Sequence, residues 1–262
     1  MGEQTAGRPP LRTRREPPPF RRVVVVAAER ESAYVVRVIL DGADLERLPV
    51  DEPAASVRLL LPSTPGSDLA IPTWNGNEFL LADGSRPIIR TFTPIRKPGE
   101  RSALTLDVVI HEGGAASDWA VNATIGDQAA ISGPGRGYTP DPEASAFLLT
   151  GDESAVPAIT QLVETLATRW PVHVGIEVRS PEAIRDLGVD RAATIEWRVL
   201  PEGDLPGSAQ MAFVEGADLE RGTKIWAAGE AAAMQRIRQY LFKDRGIERS
   251  DTMIRGYWKR PR

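Results

Sequence analysis

Between Arg21 and Ile131 the chain is a succession of short apolar runs, each four to seven residues long and rich in Val, Ile and Leu: Val23–Val26, Tyr34–Leu40, Val57–Leu61, Glu78–Leu81, Ile88–Thr93, Leu104–Ile110 and Gln128–Ile131. Gly, Pro, Asp and Ser cluster between them, as in Leu61-Pro62-Ser63-Thr64-Pro65-Gly66-Ser67-Asp68. Runs of this length are too short for ordinary helices, and their branched side chains suit a pleated surface. Short strands punctuated by turn residues predict an antiparallel barrel or sandwich. Closing the sheet removes its edges, so a Greek-key β-barrel is expected over residues 20–138.

After Ser132-Gly133-Pro134-Gly135-Arg136-Gly137 the pattern changes. Ala146–Thr150 reads as a buried strand, and Gly151-Asp152-Glu153-Ser154-Ala155-Val156-Pro157 opens a helix that runs to about Thr168, with proline in its first turn. Val172–Arg179 is a second strand, Pro181–Leu187 a short helix, Thr194–Val199 a third strand and Lys224–Ala228 a fourth. A long helix follows from about Glu230 to Asp244, stopped by Gly246. Strands alternating with helices predict an α/β domain with a mainly parallel sheet over 139–262, the boundary lying near 133–145. Residues 1–19, rich in Arg and Pro and poor in large apolar side chains, are expected to be a disordered arm.

Composition narrows the chemistry. The 262 residues include no cysteine, which excludes disulfides, iron–sulfur clusters and thiol catalysis. The two histidines, His111 and His173, lie far apart, so no metal site is expected. Redox chemistry would therefore come from an organic cofactor. A net charge of −4 and a pI near 5.4 argue against nucleic-acid binding. No apolar stretch is long enough to span a membrane and no secretory signal is evident, so a cytoplasmic location is expected.

Four stretches carry candidate chemistry. In Arg90-Thr91-Phe92-Thr93, a strand's period of two puts Arg90 and Phe92 on one face, a fork of donors beside an aromatic plate. That pairing suits a ligand with a diphosphate at one end and a flat ring at the other, such as a flavin dinucleotide; half-buried surface pattern is the plain alternative. Thr93 precedes a proline and is held extended, with its hydroxyl available to a ring nitrogen. In His111-Glu112-Gly113-Gly114-Ala115-Ala116-Ser117-Asp118-Trp119-Ala120, small residues let a ligand approach the backbone, and Ser117 or Asp118 could cap a helix whose free N–H groups face a phosphate. Gly151-Asp152-Glu153 and Ala228-Gly229-Glu230 each end a strand and open a helix, at the sheet edge where α/β proteins bind ligands. Neither is a Gly-x-Gly-x-x-Gly turn, and a carboxylate at a helix start competes with a diphosphate for the positive dipole end. Finally, Arg255-Gly256-Tyr257-Trp258-Lys259-Arg260-Pro261-Arg262 is either an aromatic-walled cationic patch or a fraying tail.

The order of these motifs, together with Gly133-Pro134-Gly135 and Gly151-Asp152-Glu153-Ser154-Ala155-Val156-Pro157-Ala158, resembles the siderophore-interacting protein family, flavin-dependent ferric-siderophore reductases of the ferredoxin reductase-like superfamily. The resemblance covers residues 20–262. It implies noncovalent FAD on an N-terminal barrel and NADH or NADPH on a C-terminal domain. It places Arg90 on the flavin phosphate, Phe92 against the isoalloxazine, Thr93 near its reactive nitrogen, and His111 with the backbone of Gly114, Ala115, Ala116 and Ser117 around the ribityl chain and diphosphate; Thr91, Val109, Ile110 and Trp119 are further FAD-binding candidates. Gly151, Asp152, Glu153, Ala228, Gly229 and Glu230 would admit the nicotinamide. Arg58, Arg136 and Lys259 would frame an anionic ferric siderophore. This chain departs from the family pattern in having Phe92 where Tyr is common, Ala115 where Pro is usual, Lys259 where Arg is usual and Arg58 where Lys is common.

The implied reaction is hydride transfer from NAD(P)H to FAD, then single-electron reduction of the chelated iron(III), whose release follows because iron(II) binds hard oxygen chelators weakly. It needs no protein ligand to iron and no acid–base residue. A reductase passing electrons to or from a protein such as ferredoxin, a siderophore carrier without turnover and a C-terminal domain that only oligomerises are the rival readings. A monomer is expected. A phosphate-selecting arginine is not assigned, with Arg179 and Arg198 both candidates.

Overall fold

In a computed structural model, which describes residues 16–64, 66–97, 99–189 and 193–260, the first half of the chain forms a six-stranded antiparallel sheet. Its strands are β1 (Arg21–Ser32), β2 (Val35–Asp41), β3 (Val57–Leu61), β6 (Ile88–Phe92), β7 (Ala103–Val109) and β8 (Gln128–Ser132). A two-stranded hairpin of β4 (Thr73–Trp74) and β5 (Phe79–Leu80) is inserted before β6. The spatial order is β6-β3-β8-β1-β2-β7. The ends of this sheet meet just past β6, where Ile95 and Thr105 exchange both backbone hydrogen bonds, at 2.8 and 2.9 Å. The cylinder therefore closes through one bridge. Its interior follows the period of two: Val23 and Val25, Val36, Val38 and Leu40, Val57, Leu59 and Leu61, and Leu104, Leu106 and Val108 form one apolar core.

Helix α1 (Ala115–Asn122) plugs this core with Ala116 and Ala120. The opposite face of β3, β6 and β8 carries a smaller cluster of Leu60, Ile89 and Ala130, covered by Phe20 and Leu69. Residues 1–15 of the expected arm lie outside the described residues. Its last part is placed, since the Pro18 carbonyl accepts a hydrogen bond from Ser132 Oγ at 2.5 Å.

The second half is a parallel sheet of β9 (Ala146–Asp152), β10 (Val172–Val178), β11 (Ala193–Val199), β12 (Thr223–Glu230) and β13 (Thr252–Trp258), in the order β11-β10-β9-β12-β13. Phe147, Leu149, Trp226 and Ala228 point to the face covered by α2 (Val156–Leu166). Leu148, Ile225 and Ala227 point to the face covered by α3 (Ser208–Gly216) and α4 (Ala231–Gln239). That alternation makes the sheet the middle of three layers.

Several elements depart from expectation. The helix expected to end near Asp244 leaves α geometry at Gln239 and finishes as a π-helical turn over Tyr240–Asp244. Pro181–Leu187 forms only a 3-10 turn at Pro181–Ala183. Helix α3 and strand β13 were not anticipated. Of the basic C-terminal stretch, Arg255–Trp258 belongs to strand β13, which pairs with β12, Lys259 and Arg260 are exposed beyond it, and Pro261 and Arg262 lie outside the described residues.

Candidate functional site

The register of β6 against β3 fixes which side chains share a face. Arg90 lies opposite Leu59 and Phe92 opposite Val57, so both are on the side of the barrel core, which Phe92 and Ile88 join. Thr91 lies opposite Arg58 on the other face. Arg90 is exposed, hydrogen-bonds only the adjacent Ile89 carbonyl, and is in no ion pair among the described residues. Thr93 is buried against the Tyr257 hydroxyl of β13. Gln161 of α2 holds the next residue, donating to the Pro94 carbonyl at 2.7 Å while its own oxygen accepts from Ala54 N–H at 3.0 Å.

The stretch after β7 is a loop tied at several points. Ile110 N–H donates to Tyr34 O at 2.8 Å, His111 N–H to Ser117 Oγ at 2.9 Å, and Ser117 Oγ–H to Val109 O at 3.2 Å. The Ser117 hydroxyl is thus spent on the strand end rather than on a cap, and helix α1 starts at Ala115 after Gly114, not at Ser117 or Asp118. No side chain caps it. The first helical bond runs from Asp118 N–H to Gly114 O, which leaves the N–H groups of Ala115, Ala116 and Ser117 free of helical partners. The His111 ring lies over Gly114, where a Cβ would come within 2.3 Å of it. Beside this helix start is a cavity of about 370 Å³ lined by Ile88, Ala115, Trp119 and the loop after β3. The Trp119 indole N–H is buried without a partner among the described residues. The free N–H groups of the helix start adjoin this cavity, whose lining also carries Asp68, Asp118 and Asp127, while Arg90 is not among its lining residues.

At the carboxyl edge of the parallel sheet the strand order reverses between β9 and β12, and there the helix starts are already occupied. Asp152 accepts from Ser154 N–H at 2.9 Å, Ser154 Oγ at 2.5 Å and Trp258 Nε1 at 2.7 Å; burial pushes its carboxyl up despite these bonds. Glu230 caps α4 through Ala233 N–H at 2.8 Å. Glu177, at the end of β10, accepts from Gly207, Ala209 and Gln210 N–H at the start of α3, and burial raises its carboxyl too. Glu177 and Gln210 were missed in the sequence, because a carboxylate that caps a helix 30 residues further on leaves no local signal. Gly229 lies between these groups: a Cβ there would be 2.8 Å from Asp152 Oδ2 and 3.1 Å from Gln210 Oε1. Gly151 is equally constrained, since its Cβ would be 2.5 Å from that of Ala155.

The three basic candidates are only partly assembled. Arg136 is held near β13 because Arg255 donates to its carbonyl at 2.8 Å and to that of Gly137 at 3.3 Å, and Lys259 is exposed just beyond the same strand. Arg58 is half-buried on the face of β3 opposite Arg90, in register with Ser132. Neither arginine considered for a nucleotide phosphate is unpaired: Arg179 is bound by Glu153 and Arg198 by Glu196.

Comparison with known proteins adds the following. The family model for the siderophore-interacting FAD-binding domain matches residues 24–138, and that for the siderophore-interacting protein matches 144–261. The chain is 30% identical to the NADPH-dependent ferric-chelate reductase of Escherichia coli, over 83% of this chain and 85% of that one. It is 28% identical to the ferric vibriobactin reductase ViuB of Vibrio cholerae, over 87% and 85%. Among solved structures, a siderophore utilization protein from T. fusca superposes with a TM-score of 0.80 at 32% identity, covering 94% of each chain. The siderophore-interacting protein SipS of Aeromonas hydrophila superposes at 0.75 and 27%, covering 94% of this chain and 100% of that one.

Proposed function

This chain belongs to the siderophore-interacting protein family, and we infer that it is a ferric-siderophore reductase that uses FAD and draws its electrons from NADPH or NADH. Flavin binding is assigned to residues 20–138 and nicotinamide binding to 139–262. FAD, when bound, accepts electrons as a hydride pair and gives them up singly.

The chain's own residues do the rest. Arg90 and the free N–H groups of Ala115, Ala116 and Ser117 bind diphosphate, Phe92 supplies the plate for the ring, and the Thr93 hydroxyl would meet its edge only by turning from Tyr257, against which it is buried. Asp152 and Glu230 neutralise their own helix starts, so the nicotinamide is admitted beside Gly229 without a diphosphate cradle. Arg136 and Lys259 offer cations to a chelate whose iron(III) is the substrate. Iron(II) leaves because it binds hard oxygen ligands less tightly. A reaction that draws on nicotinamide belongs to the cytoplasm, where that pool is found.

One observation carries this reading: Thr93, at the end of β6, lies against Tyr257, whose neighbour Trp258 is bound to Asp152 at the strand-order reversal. That contact supports the reading, because it sets the end of the proposed flavin strand within a few residues of the proposed nicotinamide turn. Anaerobic titration is the test. The purified protein is expected to be yellow, to bleach with NADPH or NADH, and to recover its colour when a ferric siderophore is added. A colourless protein that takes up no FAD would overturn the reading, and recovery only with ferredoxin would favour the protein-partner alternative.

A further inference from the structure

Resting on that reading, we propose that Arg179 is a positioning residue that locks the flavin loop to the nicotinamide turn, rather than a reader of nucleotide phosphate. Arg179 follows β10, and its contacts run in two directions. Toward the parallel sheet, Glu153 takes both its backbone N–H, at 2.9 Å, and its Nε, at 3.1 Å. Toward the barrel, its Nη1 donates to the Ile110 carbonyl at 3.1 Å and its guanidinium lies 5.3 Å from the centre of the Tyr34 ring.

Ile110 is the hinge of the matter. Its N–H is held by Tyr34 and its carbonyl by Arg179, and the next residue, His111, begins the loop whose end is the uncapped start of α1. Glu153 follows Asp152, the carboxyl that anchors Trp258. A rigid planar fork with one edge on Glu153 and a further N–H on Ile110 therefore fixes the distance between the two turns. The carboxylate that would have to release Arg179 for it to meet a phosphate is itself nine-tenths enclosed, with a side-chain exposure of 11%, and would be left buried without its cation. A second arginine from the same half, Arg185, reaches the same strand at Asp107, three residues before Ile110, at 2.9 Å. It holds the strand but not the loop, which makes it the control.

Two variants of Arg179 and one of Arg185 test this. In cofactor-free protein, Arg179→Ala is expected to raise amide hydrogen exchange over residues 110–117 about tenfold, the size of one lost charge-assisted hydrogen bond. Its dissociation constant for FAD, read from flavin fluorescence without any nicotinamide, should rise by a similar factor. Arg179→Lys keeps the charge beside Glu153 and should restore thermal stability. It cannot span both partners, so the loop should remain unprotected. Arg185→Gln should lower stability without changing exchange at 110–117. The ratio of NADPH to NADH affinity should be unchanged throughout. Unaltered exchange and FAD affinity in Arg179→Ala, or a collapse of the NADPH to NADH ratio, would overturn the assignment. If native protein binds no FAD at all, the reductase reading fails while the exchange measurement still decides the role of Arg179.

Discussion

Arg90 and Phe92 illustrate what a single residue's surroundings allow. Their shared face was legible from the alternation of the strand, since a period of two leaves no other arrangement. Arg90 has no carboxylate partner among the described residues, which is what the proposed phosphate contact needs. Arg90→Ala is expected to weaken FAD binding by about tenfold or more while leaving the unfolding temperature near that of native protein, measured by fluorescence titration and thermal melts. Asp152 is the contrary case, a carboxyl whose value is raised by burial. In the unfolded chain it loses its proton at lower pH than in the fold, so stability falls as pH rises from the ordinary carboxylate range through the raised folded value. Asp152→Asn should make that decline shallower in urea unfolding followed upward from the ordinary carboxylate range; an unchanged slope would show that Glu153 and Glu177 dominate it. The bonds that join Arg179 to Ile110 or Arg255 to Arg136 were not legible. They end on main-chain carbonyls, which every residue has.

Among the elements, strands were read better than helices. Val57–Leu61 was placed to the residue, because branched side chains between a Ser and a Pro leave little choice. Helix α3 escaped notice because Gly203, Pro206 and Gly207 before it look like loop, and its start is capped from β10 instead of by its own neighbours. Strand β13 was hidden by its charge: Met253 and Tyr257 pack toward α2 and Ile254 toward α4, but Arg255 and the basic residues after it mask that alternation. How closely the layers pack can be tested at Gly175 of β10, where a Cβ would fall 2.3 Å from the Phe213 ring of α3. Gly175→Ala is expected to cost about 1–3 kcal/mol by overpacking, read as a lowered unfolding temperature. No loss would mean that α3 shifts freely on the sheet.

For the molecule as a whole, the two-part architecture followed from the change of pattern near Gly133, but the contact between the parts did not. Arg185 on Asp107, Arg179 on Ile110, Gln161 on Pro94 and Tyr257 on Thr93 all cross from the second sheet to the first. The net charge of −4 repels an anionic chelate, so the proposed capture would rest on local cations such as Arg136 and Lys259. Raising salt from about 0.05 to about 0.5 M should therefore increase KM for a negatively charged ferric chelate and leave a neutral one unaffected, because screening shortens the reach of exposed charges. An equal response to both would remove the electrostatic role. The single Ile95–Thr105 bridge has a consequence of its own. A cylinder fastened at one rung has a slit, and one lip of that slit is Ile88–Phe92, whose outer main-chain groups have no strand beside them among the described residues. Pro87 and Pro94 bracket this lip and lack the N–H that an invading chain would need, so the edge that carries Arg90 and Phe92 is too short to recruit a second protein by strand pairing.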